Sequence, residues 1–395
     1  MMKTHLTFLA GLSLIASPLE AGDAFLDSAD SAKAVEFEEP TPVISPYFTY
    51  LFDYFHNTTG GFQTGGAAMG LFDVGAEVDL EQLFGWKGAT FVVSAFAGHG
   101  SDFSANFVGD FGVVSNLYAD TNFNIYHLYF EQALEGESFF RIGQFAIDDD
   151  FMATDSSALF LGSPFLPLNT QSANMPGPIF PLAAPGAQYY HSPTGEWYVV
   201  TGVFVGDAGP GGPRDRGFEW RWGGGAGFSL FSEGGVIYNE DGGVVKVGGY
   251  YYSGDVTQFA TGNTVDGLGA VYGMVDHPII PTANGSTGLS AFLRGSISGN
   301  EDRVTATSQV DGGLVFQNVF CAEDSLGFAA SHTTFGDDYL RATPGVTSSE
   351  TVIEATYRVP ITENFAIQPD VQYVLNPHES GRDAVAVGIR GEISF

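Results

Sequence analysis

The chain has 395 residues, with 14 Lys+Arg against 46 Asp+Glu, a single Cys, 53 Gly, 35 Phe and 17 Tyr. Only 15% of the residues are charged, which, with so many aromatics, excludes a disordered polyanion despite the formal charge of −32. The glycine content excludes a helical protein, since each glycine costs about 1 kcal/mol in a helix interior, and what remains is a large all-β protein. The acidic balance excludes nucleic acid as a partner, because that requires clustered Lys and Arg. One Cys makes no internal disulfide and no CxxC metal or redox motif.

In chain order, residues 1–21 read MMKTHLTFLAGLSLIASPLEA. Lys3 precedes an apolar stretch over 6–16 and a small residue closes the segment, the layout of a secretory signal peptide. Cleavage after Ala21 would remove Lys3 and Glu20 and leave the charge at −32. Residues 22–46, with Pro40, Pro42 and Pro46, read as a flexible periplasmic lead-in. No later apolar run reaches the roughly 18 residues of a spanning helix.

From Tyr47 onward the signal is alternation. Phe72, Val74, Ala76 and Val78 alternate with Asp73, Gly75, Glu77 and Asp79. Tyr126, Leu128 and Phe130 form one face, and His127, Tyr129 and Glu131 the other. After the Glu135–Glu137 turn, Phe140 and Ile142 oppose Arg141. A hairpin centred on Gly136 sets Glu131 across from Arg141 on the polar face, a favourable cross-strand pair. Residues 148–188 lack alternation. They carry Asp148, Asp149 and Asp150, six prolines and Phe151, Phe160, Phe165 and Phe180, too apolar for disorder and too long for an idle loop. We expect this segment to fold inward and narrow a pore, and residues 261–288 to do the same with less support.

The glycine-rich 223–227 run reads as part of a β pattern rather than a phosphate cradle. Arg221, between Trp220 and Trp222, has no clear facing. Lys246 shares a face with Tyr250 and Tyr252. Phe292 and Arg294 share a face, opposite Leu289, Ala291, Leu293 and Ile297. Cys321 reads as a small buried hydrophobe on a strand. Thr351, Ile353, Ala355, Tyr357 and Val359 alternate with Val352, Glu354, Thr356 and Arg358. Phe365, Ile367, Val371, Tyr373 and Leu375 alternate with Gln368, Asp370 and Gln372. Val385, Val387, Ile389, Ile393 and Phe395 alternate with Ala386, Gly388, Arg390, Glu392 and Ser394.

Apolar-out, polar-in strands of about ten residues, with aromatics near strand ends, describe a closed transmembrane antiparallel β-barrel. A packed sandwich core would not tolerate Glu, Asp, Gln and Arg on the inner face. At roughly 22 residues per strand and loop, the chain yields about 16 strands, wide enough for an aqueous channel. The setting is the outer membrane of a Gram-negative-type bacterium, with its lipid and lipopolysaccharide as neighbours. Acidic loop residues could hold divalent cations that bridge lipopolysaccharide, but no EF-hand-like spacing marks a specific site.

Several short runs carry a family resemblance in order along the chain. They are NTTGG (57–61), GWKG (85–88), RIGQ (141–144) leading to DDF (149–151), AFLR (291–294), FAIQPDVQYVLNP (365–377), GIR (388–390) and the terminal Phe. With these, the chain from about Tyr50 to Phe395 resembles the carbohydrate-selective porins of the OprB type. The resemblance implies a monomeric 16-stranded barrel that passes glucose and related sugars; a trimer is the other assembly left open, and no cofactor or metal is expected.

Porins select by width and lining charge, and sugars favour aromatic faces beside polar groups. The candidate constriction residues are therefore Arg141 with Glu131 and Tyr129, Arg294 with Phe292, Arg358 with Glu354, Lys246, and Asp370. Each charged group reads either as a sugar contact or as an ion pair that stiffens the wall. The acidic surplus disfavours an anion-selective pore and leaves two readings, a sugar channel or a general, cation-preferring one. No GxSxG, HExxH or P-loop pattern occurs, so the sequence offers no catalytic centre.

Overall fold

The computed structural model describes residues 42–117, 123–210, 216–238, 242–282 and 285–395. The expected leader and most of the lead-in lie outside the described residues. Sixteen strands make up the wall: β1 (Ile44–Thr59), β2 (Gly65–Asp79), β3 (Ala89–Gly100), β4 (Asn124–Ala133), β5 (Phe139–Phe145), β6 (Ala184–His191), β7 (Trp197–Val205), β8 (Phe228–Ile237), β9 (Val244–Thr257), β10 (Thr264–Ile280), β11 (Gly288–Ser298), β12 (Ala306–Gln317), β13 (Ser325–Phe335), β14 (Ser349–Thr362), β15 (Phe365–Leu375) and β16 (Ala384–Ser394). Each pairs antiparallel with its chain neighbours, and β1 pairs with β16, so the barrel has no free edge. The seam reaches the last residue, where Phe395 N–H donates to Phe48 O at 2.9 Å and Phe48 N–H to Phe395 O at 3.0 Å.

The alternation read from the sequence becomes the two faces of this wall. On β11, Leu293 and Ile297 are 59% and 61% exposed on the outside, while Phe292, Arg294 and Ser296 are buried on the inside. Outward Phe52, Phe72, Val74, Phe140, Val247, Val271, Phe328 and Val371 continue the band, the apolar surface that a barrel presents to lipid. Polar outward rings find partners locally. Tyr50 Oη lies 3.1 Å from His99 Nε2, and Tyr238 Oη 2.8 Å from His277 Nδ1. The turns at the end that holds the N-terminal start of β1 are short, and the long connections, those from β3 to β4, β5 to β6, β7 to β8 and β13 to β14, all lie at the other end. In an outer-membrane barrel this makes the first end periplasmic and the second extracellular.

Two extracellular connections fold into the barrel. Residues 146–183 bury Phe151, Phe160, Phe165, Leu161 and Leu168, and include one short α-helix, α1 (Asn169–Ser172). Its rings meet the wall, with Phe151 5.6 Å from Phe231 and Phe160 5.8 Å from Phe292 between centroids. At about 1.5–3 kcal/mol per buried large side chain, this loop behaves as a core, as its composition foretold. It ends at Ala184, where strand β6 begins, rather than at Gln188. The second inward segment is residues 101–117, with Phe103, Val108, Val114 and Leu117 buried.

Several expectations are corrected here. Residues 261–288 do not enter the pore. Most of them form β10, at 17 residues, whose inward Tyr272, Met274 and Asp276 alternate with outward Val271 and Val275. Pro278 and the glycines hid that period. Tyr126 turns inward with the polar face, because a bulge between Val93 and Ala95 shifts the β3–β4 register. It packs edge-on against Phe96 at 5.4 Å and Phe180 at 5.9 Å. Cys321 is exposed in the β12–β13 turn and is not a buried strand residue. The 223–227 glycines form a turn before β8, where Gly223, Gly224, Gly225 and Gly227 all have positive φ, a conformation that strands do not use.

Candidate functional site

The candidate site is the level of the barrel at which Arg141, Lys246, Arg294 and Glu354, four of the side chains expected to line a constriction, bind the inward loop 146–183 to the wall. Arg141, on β5, sits directly across from Glu131 on β4. Its Nε donates to Glu131 Oε2 at 2.9 Å and its guanidinium to Asp150 Oδ2 of the loop at 2.5 Å. The guanidinium carbon lies 4.5 Å from the Tyr129 ring centroid, an arrangement in which the π face offsets lost hydration. Gln188 donates to the same Asp150 oxygen at 2.8 Å. Lys246 Nζ donates to Ala153 O at 2.8 Å.

Arg294 is the most deeply held cation, at 0% exposure. It pairs with Asp311 at 2.7 Å and donates to the loop carbonyls of Leu166 at 2.6 Å, Pro164 at 2.9 Å and Met152 at 3.2 Å. Phe292, 5.9 Å from its guanidinium, forms the adjoining apolar surface for Phe160. The planar fork of arginine suits several fixed carbonyls as no ammonium could. Glu354 accepts from the backbone N–H of Leu161 at 2.6 Å and Gly162 at 3.0 Å. Asp370 accepts from Gln372 Nε2 at 3.1 Å. Arg358 does not touch the loop and pairs with Glu392 at 3.1 Å, nearer the periplasmic mouth.

The structure therefore brings Arg141, Glu131 and Tyr129 together, and Arg294 with Phe292. It places Lys246 and Glu354 on the same inner wall, against the loop, and Asp370 on that wall beside Glu354 with Gln372 as its bonded partner. Sequence reasoning missed the acceptors and donors that complete the belt. Glu233 takes Tyr198 Oη at 2.6 Å, Tyr272 Oη at 2.9 Å and Met152 N–H at 3.1 Å. Asp276 takes the N–H and hydroxyl of Ser156 at 2.8 and 2.7 Å. Arg390 grips Asp53 with two bonds of 2.8 Å and Asn116 of the 101–117 segment with a third. Only inward parity marked these residues, and parity does not say which inward groups meet a loop.

Below the loop the lumen stays accessible. The Glu131 side chain keeps 28% exposure and that of Arg358 keeps 20%. Phe139 and Tyr190 stack at 5.0 Å with 7° between their planes, and Tyr190 continues to Tyr198 at 5.3 Å. Tyr198 is itself buried, whereas Phe139, Tyr190 and Glu131 are only partly covered on the lumen side. Within the loop, burial and then the charge of adjacent Asp149 push the Asp148 carboxyl up to about 7. Asp149 itself faces His127 Nε2 at 2.9 Å. Among the described residues no three His, Cys, Asp or Glu side chains converge as a metal cluster, and no helix is long and apolar enough to cross a membrane.

A closed 16-stranded wall with an apolar outer band and a loop-narrowed polar lumen defines an outer-membrane porin. The profile of the carbohydrate-selective porin, OprB family, matches residues 63–395, and the chain belongs to that family. A search of curated protein sequences returns no match. Among solved structures, OprB of Pseudomonas putida at high pH superimposes with a TM-score of 0.79 at 17% identity, covering 89% of this chain and 94% of that one. The outer membrane channel DcaP of Acinetobacter baumannii follows at 0.55 and 10%, over 89% and 97% of the two chains. Salmonella typhi OmpF gives 0.53 and 12%, over 89% and 97%. At these identities the likeness is one of fold.

Proposed function

We propose that this porin passes small neutral sugars by saturable, passive diffusion, and that it works as a monomer. The observation that carries the reading is the division of labour at the constriction. Arg294, Lys246 and Glu354 hold the loop and fix the width, and Asp370 stands beside Glu354 on the wall. Glu131, backed by Arg141 and Tyr129, and the Phe139–Tyr190 rings offer the polar and aromatic contacts that a sugar uses. Membership in a carbohydrate-selective family supports the same substrate class. A weak, multi-contact site lets solute both enter and leave.

The test is liposome swelling with refolded protein, comparing glucose, arabinose and sucrose with an amino acid of similar size. One monosaccharide should enter faster than its size predicts, with saturation, and Glu131→Gln should abolish that preference while leaving the size limit unchanged. Uptake ordered purely by size would favour the general, cation-preferring alternative, which the acidic lumen also suits.

A further inference from the structure

We propose that Glu354, Asp370 and Gln372 form a buried binding site for one hard divalent cation of the calcium class, which locks both inward segments to the wall. The three side chains project from neighbouring strands, with Glu354 directly across from Gln372 and Thr356 across from Asp370. They are 1%, 2% and 0% exposed, and the two carboxyl groups lie within hydrogen-bonding reach of each other. Two buried carboxylates at that separation require a proton or a cation between them.

No basic side chain among the described residues ion-pairs with either acid. Arg390 is the cation that acts on Asp370, but its guanidinium is committed to both oxygens of Asp53. Asp53, itself acidic, thus cancels the nearest positive charge. Arg358 is likewise spent on Glu392.

Gln372 decides between a proton and a cation. Its Nε2 donates to Asp370 Oδ1 at 3.1 Å and to Val114 O at 2.8 Å. Those two acceptors fix the amide orientation, because a flipped amide would set its oxygen against both. Oε1 is therefore an acceptor, and it is buried without a protein partner, as is Asp370 Oδ2. A proton shared by the two carboxyls satisfies Asp370 and leaves Gln372 Oε1 unserved. A cation satisfies all three, and carboxylate with amide oxygen is the donor set that calcium prefers. The space beside Gly162 brings two of the three groups, Glu354 and Gln372, to one spot. A Cβ there would stand 2.8 Å from Glu354 Oε2 and 3.5 Å from Gln372 Oε1, so only glycine leaves that spot open.

The site lies where the two inward segments already meet, Asn116 N–H donating to Leu161 O at 2.8 Å and Ser163 N–H to Val113 O at 3.0 Å. Glu354 holds Leu161 and Gly162 of the 146–183 loop, while Gln372 holds Val114 of the 101–117 segment. A cation there would fasten both, with water completing the roughly six to eight ligands that calcium takes.

The experiment is calorimetric titration of CaCl2 into full-length, chelator-treated, refolded protein in detergent free of lipopolysaccharide. The wild type should show one stoichiometric site above the weak background of surface acids, and its thermal unfolding midpoint should rise with calcium. Gln372→Met, which keeps the volume and the charge, and Asp370→Asn should each weaken that site at least tenfold and leave the background. Background binding alone in the wild type would overturn the proposal, even if a variant failed to fold. So would a midpoint that ignores calcium but shifts with pH, the mark of a shared proton. The readout is independent of sugar flux, so a failed sugar reading leaves this test intact.

Discussion

Single side chains fasten the inward loop to the wall, and Arg294 shows how. Truncating it strands Asp311 in a buried site and frees three loop carbonyls, and breaking such a pair costs about 3–5 kcal/mol. Arg294→Ala should therefore loosen the loop, raise the size limit in liposome swelling and lower the unfolding midpoint. Arg294→Lys should fail to restore either, since one ammonium cannot span the carbonyls of Pro164, Leu166 and Met152. A second residue works at the periplasmic rim. Asp324, in the β12–β13 turn, accepts from the backbone of Val319 at 2.6 Å, Phe320 at 2.9 Å and Cys321 at 3.0 Å, and from Tyr357 Oη at 2.6 Å. Burial alone would push its carboxyl up, but the Tyr357 hydroxyl and these N–H groups outweigh it and hold it at about 2. A lowered value means stability that is complete above the ordinary 3.8 and lost as pH falls toward 2. Asp324→Ala should leave three backbone donors unserved, cost about 1–3 kcal/mol, and flatten that acid limb in denaturant titrations at pH 2–5.

At the scale of elements, the inward loop carries its own pH response. Docked Asp148 holds its proton up to about pH 7, whereas a released one would lose it near the ordinary 3.8. Docking therefore strengthens as pH falls from 7 toward 4 and weakens as pH rises back to 7. Proteolysis of the loop should quicken as pH rises from about 4 to about 7 and level off above it, and Asp148→Asn should remove the dependence; a flat wild-type profile would count against it. The loop itself was legible, because prolines and phenylalanines without a period cannot form a barrel strand and cannot stay in water. The β4–β5 register was legible too, since strict parity placed Glu131 opposite Arg141. What the sequence concealed were contacts between residues far apart in the chain, such as Arg294 with Pro164, which no local pattern encodes. Residues 101–117 escaped notice because three phenylalanines between glycines resemble an ordinary surface loop. Residues 264–280 were misread because Pro278 and three glycines interrupt the alternation of β10.

For the molecule as a whole, the formal charge of −32 acts through the lumen and the mouths. Glu131, Asp73 and Glu77 face inward on the periplasmic side, so the open channel should pass K⁺ in preference to Cl⁻. The reversal potential across a KCl gradient should show this at 0.1 M and shrink by 1 M, where the screening length falls from about 10 to about 3 Å. Flux of an uncharged sugar should barely respond to the same change.

The seam between β1 and β16 has a consequence for how the molecule comes into being. Phe48 and Phe395 meet through paired backbone bonds, so the first strand waits for the last, and until translation and export have delivered all sixteen both outer strands stay unsatisfied. Such a ribbon cannot enter hydrocarbon, where each unpaired group costs several kcal/mol, and left in water its edges invite association with other chains. An unclosed sheet therefore calls for an escort that covers both edges until they find each other. Deleting Phe395 should accordingly lower the yield of protease-resistant barrel in lipid vesicles far more than it disturbs the barrels that do close.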